Sequence, residues 1–141
     1  MSSFTHLDET GNPSMVDVGD KKITRRTAVA QSIVVLGDTI MDQLEGKEIQ
    51  TKKGPVFQTA ILAGIMAAKR TSELIPLCHP LALSKVGIDI DINDKREVVI
   101  QCTAKLSGQT GVEMEALTGA SVAALTIYDM CKAFSHDIII K

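Results

Sequence analysis

The sequence predicts an α+β sandwich with one antiparallel sheet and elements in the order β-α-β-β-α-β. Three observations lead there. Residues 85–106 alternate apolar and polar side chains on both sides of a four-residue turn, which is a hairpin pattern. A long apolar helical segment precedes that hairpin and a second follows it. Stretches rich in β-branched residues open and close the set. This order is the ferredoxin-like split βαβ arrangement, here with one extra helix in the first crossover.

Residues 1–22 are rich in Ser, Thr, Asp, Gly and Asn and read as an irregular arm, with a short extended piece at Met15-Val16-Asp17-Val18. A single domain then runs over 23–141. Residues 24–36 carry Val, Ile, Thr and Ala in weak alternation and predict a strand. Ile40, Met41 and Leu44 follow helical spacing, and the polar, basic stretch 47–55 reads as a loop. Residues 56–71 are apolar almost all round, which predicts a buried helix, and Ala60, Gly64 and Ala68 recur every four residues to admit a close neighbour. Pro76 and Pro80 bracket a rigid loop, because proline fixes its own φ and drives the preceding residue out of the helical region. In the hairpin, Val86, Ile88, Ile90 and Ile92 form one apolar face, and Val98, Ile100, Cys102, Ala104 and Leu106 the other. Thr110 and Glu113 have capping-box spacing and open a helix over residues 111–134. Residues 138–140 make a final strand.

The chain of 141 residues suits one domain, and at 45 % apolar residues it has enough material for a core. Aromatic residues are only 3 %, so that core is aliphatic. A net charge of -2 gives no bulk attraction to nucleic acid or anionic lipid, so any anion site must come from a local cationic cluster. Three cysteines without a CxxC pair read as free thiols in a reducing cytosol. The polar N-terminus is no secretory signal, and no apolar run reaches the ~18 residues of a membrane span.

Several residue groups carry possible chemistry. His79, held between prolines, can donate to a phosphate or shuttle a proton, although a histidine in a turn more often just satisfies a backbone carbonyl. Cys78 with His79 raises zinc weakly, since no second pair at ligand spacing exists. Asp129 and Lys132 lie at i, i+3 and form either an acid–base pair or an ordinary surface ion pair. Residues 116–128 before them carry no charge, which places the pair at the edge of a buried run. Lys52-Lys53-Gly54-Pro55 precedes a helix N-terminus, where charge and free N–H groups can hold an anion, although a solvated loop is commoner. Lys69-Arg70 and Lys21, Lys22, Arg25 and Arg26 are further cationic candidates, each with a bland alternative as a solvated surface or, for Lys69-Arg70, a helix-dipole partner. Glu113 has its capping role. Glu115 has none; it lies about 40° from Asp129 around the helix and ~21 Å along it. One ligand reaches both only if two such helices pack antiparallel about a two-fold axis, which predicts a site shared between subunits.

Taken together, Met15-Val16-Asp17-Val18, Ala67-Ala68-Lys69-Arg70, residues 75–81 (Ile-Pro-Leu-Cys-His-Pro-Leu), residues 111–117 (Gly-Val-Glu-Met-Glu-Ala-Leu) and residues 123–133 resemble the cyclic pyranopterin monophosphate synthase family, the accessory protein C of molybdenum cofactor biosynthesis. The resemblance runs nearly the whole chain. It implies a ferredoxin-like fold, a hexamer built as a trimer of dimers with sites at the dimer interface, and no metal or organic cofactor. The implied reaction converts a cyclised dihydro-GTP to cyclic pyranopterin monophosphate and pyrophosphate. By motif, Asp129, Lys132 and Lys53 match the catalytic residues. Leu77, Cys78 and His79, with Glu113, Met114 and Glu115, match substrate-binding segments, and Lys69, Arg70 and Arg26 match triphosphate contacts. The resemblance also implies a glycine- and lysine-rich tail bearing one site lysine, which this sequence does not contain after Lys141. Other readings of the same residues are a non-catalytic nucleotide-binding module and a zinc hydrolase on Cys78 and His79.

Overall fold

The computed structural model describes residues 12–14 and 24–141; the Met15–Val18 piece and most of the arm lie outside them. The element order is β1 Thr24–Val35, α1 Asp38–Met41, β2 Gln50–Thr51, β3 Gly54–Pro55, α2 Val56–Lys69, α3 Thr71–Leu74, β4 Lys85–Ile92, β5 Val98–Gly108, α4 Glu113–Cys131 and β6 Ile139–Ile140. The main sheet runs β4-β5-β1-β6 with every neighbouring pair antiparallel. With the small β2–β3 pair set aside, this is the ferredoxin-like order that the hairpin and the two apolar helices predict.

Period-two burial sets the faces. In β1, Ala30, Ser32 and Val34 are buried while Val29, directly before them on the other face, is 60 % exposed. In β5, Val98, Ile100, Cys102, Ala104 and Leu106 all point inward. Helix α4 meets that face with Ala116, Ala120, Ala123, Ala124 and Ile127, and the buried Ser32 hydroxyl donates to the Ala120 carbonyl at 2.8 Å. The small side chains follow from the shortage of aromatics: a thin aliphatic core keeps the helix close to the sheet.

Helices α2 and α4 touch at two glycines. A Cβ on Gly64 would stand 2.8 Å from the Gly119 carbonyl oxygen and would overlap Ile88 Cδ1. A Cβ on Gly119 would lie 3.2 Å from the Gly64 carbonyl oxygen and press on Cys102 Sγ. The backbones therefore pack directly.

Four local expectations change. The basic stretch 47–55 is not an open loop but carries the β2–β3 hairpin. The first apolar helix stops at Lys69, where Arg70 leaves helical geometry, and resumes as the short α3. The first crossover therefore holds two short helices besides α2, not one. The capping box does not form: Val112 is the N-cap of α4 and makes no side-chain cap bond, because the helix starts at Glu113, too late for Thr110 to reach its first turn. The last strand forms only at Ile139–Ile140, with Ile138 turned into the core.

Gly64→Ala is expected to destabilise the fold by about 1–3 kcal/mol, the usual range for overpacking a tight interior contact. Chemical denaturation checks this, and wild-type stability in the variant would mean that the helices can separate freely.

Candidate active site

The carboxylate of Glu48 fixes one end of the site. Its Oε1 accepts the N–H groups of Ile49 at 2.9 Å and Phe57 at 2.8 Å, and its Oε2 accepts that of Gln58 at 3.1 Å. It thus occupies the open donors at the N-terminus of α2, which removes the expectation that this terminus, with Lys52 and Lys53, holds an anion through free N–H groups. The next residues turn tightly. Thr51 Oγ1 donates to the Gly54 carbonyl at 3.0 Å and accepts the Lys53 N–H at 3.1 Å. Gly54 has φ 113, open to glycine and strained for other residues. Lys53 is thereby held at a hairpin tip and pointed at the end of α4.

There Lys53 Nζ lies 3.1 Å from Asp129 Oδ2, and Lys132 Nζ lies 3.0 Å from Asp129 Oδ1. Hydrogen bonds from Lys132 and then Lys53, with their charges, hold the Asp129 carboxyl below the usual carboxylate range. All three side chains are more than half exposed, so the pairs add little to stability. They border a cavity of about 420 Å³ lined also by Thr51, Lys52 and Phe134. Phe134 is 40 % exposed and provides an apolar wall beside the charges.

A second group forms at the opposite end of α4. Pro76 and Pro80 shape the loop that carries Leu77, Cys78 and His79, all half-buried, and this loop stands beside the first turn of α4. Burial pushes the Cys78 thiol up, and the charges of Glu115 and Glu113 add to the shift. Glu115 is 4 % exposed; burial raises its carboxyl and Glu113 reinforces the effect. Glu113 itself is exposed, and its carboxylate folds back over Gly111, where any Cβ would collide with it. Met114 is half-buried between the two acids. The His79 side chain makes no hydrogen bond among the described residues, so it is not spent on a turn carbonyl. Arg26, facing the helices near the start of β1, has a buried Nε without a hydrogen-bond partner among the described residues. Lys69 and Arg70 are exposed at the C-terminus of α2. Among the described residues no three His, Cys, Asp or Glu side chains converge as a metal site.

Lys53, Asp129 and Lys132 thus come together, as do Cys78, Glu113 and Glu115. The two groups do not meet: fourteen residues of helix separate Glu115 from Asp129, about 21 Å at ~1.5 Å per residue. The expected shared face also differs at its ends. Asp129 is open while Glu115 is covered, because the 75–79 loop lies against the first turn of α4. Sequence reasoning missed Glu48, Thr51, Gly111 and Phe134. Only Gly111 left a trace in the sequence, as a glycine directly before an acidic helix start.

The family model described as the MoaC family matches residues 15–141. The chain belongs to the MoaC family. It is 52 % identical over 137 residues to the cyclic pyranopterin monophosphate synthase of Xanthomonas axonopodis pv. citri, covering 97 % of this chain and 83 % of that protein. It is 56 % identical to the molybdenum cofactor biosynthesis bifunctional protein of Synechocystis, over 98 % of this chain and 41 % of that one. It is 49 % identical to the molybdenum cofactor biosynthesis protein 1 of Dictyostelium discoideum, over 99 % of this chain and 25 % of that one. The chain therefore spans a quarter and about two-fifths of these two longer relatives, and most of the Xanthomonas protein. No helix among the described residues is long and apolar enough to cross a membrane.

Two outcomes follow for this MoaC-family chain. Glu48→Ala is expected to cost about 1 kcal/mol, as loss of a helix cap does, and to loosen the Lys53 hairpin, which amide exchange at Lys53 and Gly54 reports. Glu115 has a raised carboxyl, so its folded state binds the proton more tightly than the unfolded chain. Its ionisation therefore costs stability progressively as pH rises from the unfolded carboxylate value through the raised folded one. Glu115→Gln removes that cost, so its melting temperature should exceed wild type at neutral pH, with the gap closing towards about pH 4. A gap independent of pH would exclude the assignment.

Proposed function

We propose that the chain is a cyclic pyranopterin monophosphate synthase, a lyase that converts (8S)-3',8-cyclo-7,8-dihydroguanosine 5'-triphosphate to cyclic pyranopterin monophosphate and pyrophosphate in molybdenum cofactor biosynthesis. The observation that carries this reading is the Lys53–Asp129–Lys132 cluster at the mouth of its cavity. The rearrangement opens and closes rings and forms a cyclic phosphate, so it needs several proton transfers beside accumulating negative charge. Asp129, ionised at neutral pH, holds two ammonium groups about 3 Å from its oxygens. Lys53 and Lys132 then give protons to departing oxygen or nitrogen atoms and recover them from attacking ones. Leu77, Cys78, His79, Glu113, Met114 and Glu115 hold the heterocycle end, and Lys69, Arg70 and Arg26 hold phosphates.

One chain does not complete this site, since its two residue groups lie at opposite ends of α4. An antiparallel α4 from a second subunit brings the Glu115 end of one chain to the Asp129 end of the other. Leu62 and Leu125, each 60 % exposed, with Met66 and Leu117, supply apolar surface on the two helices for that contact. The functional unit is a dimer, assembled three times into a hexamer that works in the cytosol without a metal or organic cofactor.

Purified protein is expected to release pyrophosphate from the cyclised dihydro-GTP. Asp129→Ala and Lys132→Ala should each lower kcat by about 10²–10⁴-fold with melting temperatures unchanged. No product from the wild-type chain would sink the assignment. Mixing inactive Asp129→Ala and His79→Ala subunits should restore activity, because each mixed dimer regains one intact site. A mixture as inactive as its parents would refute the shared site.

A further inference from the structure

Phe134 stands in the wall of the cavity beside Lys53, Asp129 and Lys132 and takes no part in the proton chemistry. The chain has three phenylalanines, one tyrosine and no tryptophan. Phe4 lies outside the described residues. Phe57 is 5 % exposed in the core, and Tyr128 packs against the core. Among the described aromatics Phe134 is the one left open, at 40 %. Burying a phenylalanine side chain contributes about 1.5–3 kcal/mol over leaving it exposed. A chain this short of aromatic rings therefore forgoes part of that stabilisation at the edge of its charged cluster.

The backbone that carries the ring is pinned on both sides. Helix α4 ends at Cys131, and the Phe134 N–H donates to the Cys131 carbonyl at 2.9 Å, which extends the helical turning past Lys132. Beyond the ring, the Asp137 N–H donates to the Ser135 hydroxyl at 3.0 Å, and Ile138 is buried. The attachment point of the ring is thus fixed two residues after Lys132. Met130, 5 % exposed, and Ala133 continue the apolar part of the lining. The cavity of about 420 Å³ therefore joins a flat apolar wall to a charged rim. That combination suits a planar ligand whose faces are apolar and whose edges carry hydrogen-bonding groups.

We propose that Phe134 is the platform on which the substrate's heterocycle stacks. The subunit that supplies Lys53, Asp129 and Lys132 then holds the ring by its face, while the other subunit holds it by its edge. The identity of that ring rests on the synthase reading. A 7,8-dihydroguanine keeps its six-membered ring planar although C8 is saturated, so one flat face remains to be covered. At the start of α4, Cys78, His79, Glu113 and Glu115 are polar groups suited to the edge, and among them only His79 carries a ring. An antiparallel partner helix brings the Lys53–Asp129–Lys132 end to that heterocycle, and Phe134 arrives with it. Stacking on an aromatic side chain tolerates many bases, since every base has a π-face. Phe134 therefore contributes affinity and sets the ring beside the ammonium groups, and leaves the choice between bases to the edge contacts.

Steady-state turnover of the cyclised dihydro-GTP by the intact protein tests the platform. Phe134→Ala is expected to raise KM about tenfold, the scale of losing one base–aromatic stack, with a much smaller change in kcat. Phe134→Leu keeps apolar bulk without a flat ring and should recover little of that loss, whereas Phe134→Tyr should recover most of it. Because the chain has no tryptophan, Phe134→Trp places a single reporter at the site. Its fluorescence should be quenched saturably by the cyclised substrate and by GTP, beyond the quenching of free N-acetyltryptophanamide, and not by inorganic tripolyphosphate. If wild type turns over and Phe134→Ala keeps its KM, the platform is wrong and the synthase reading stands. If Phe134→Leu performs as well as wild type, the side chain is only an apolar wall and stacking is refuted. If Phe134→Ala falls to smaller species on size exclusion and regains its KM at high protein concentration, the ring is a subunit contact and the proposal is overturned. If wild type gives no turnover but GTP quenches the Phe134→Trp reporter saturably and tripolyphosphate does not, the platform stands and the reaction assignment is wrong.

Discussion

Gly64 of α2 and Gly119 of α4 let two helix backbones touch, and both halves of the candidate site hang from that contact. A side chain at either position would meet the carbonyl oxygen of the other helix. The contact fixes the helices side by side and in opposite directions. The start of α2, with its Lys53 hairpin, therefore lies against the end of α4, and the segment after α2, with Cys78, lies against the start of α4. Separating the helices by the width of a methyl group would alter both ends at once. Interiors packed to near-crystalline density do not absorb such a shift locally.

The two ends have opposite electrostatic character. The start of α4 gathers Glu113 and Glu115 where the helix dipole favours anions, and Lys132 follows its last turn, where the dipole favours cations. The dipole does not account for Glu115, however. Burial raises its carboxyl, so the fold bears a cost to keep it beneath the 75–79 loop. At the far end the reverse holds. Asp129 is ionised easily between two lysines, and its exposure means that those contacts contribute little to folding. A buried carboxyl that costs stability and an exposed cluster that adds little are both arrangements that packing alone would not select. They sit at the two places where the proposed synthase reading puts its chemistry.

Much of this was legible in the sequence because it is periodic. The β4–β5 hairpin, the apolar α2 and the charge-free run of α4 each announce themselves through alternation or helical spacing, and together they fix the ferredoxin-like order. Asp129 with Lys132 was visible because i, i+3 spacing is local. Lys53 beside them was not visible from spacing, since the pair is 76 residues apart and is made by a hairpin that Thr51 and Gly54 tie internally. Glu48 was invisible for a related reason. A cap that reaches from nine residues before Phe57 across a small hairpin has no fixed sequence offset. The same limit explains the failed capping box: Thr110 and Glu113 have the right spacing, but the chain between them turns before the helix begins, and the Glu113 carboxylate uses the room left by Gly111 instead.

On the synthase reading proposed above, the distance between the two halves decides how the site is completed. A triphosphate substrate with a tricyclic head can extend over much of ~21 Å, but reacting atoms must approach within about 3–3.5 Å of the groups that move their protons. A ligand stretched along one α4 would put its heterocycle at Glu115 and leave only its phosphates near Lys53 and Lys132, far from the ring atoms that rearrange. Reversing it would place the phosphates beside Glu113 and Glu115, where like charge opposes them. A second α4 running the opposite way removes both difficulties. On the proposed reading it brings the cationic end of one chain to the heterocycle held by the other, and leaves the triphosphate room to turn outward past Arg26 and Lys69.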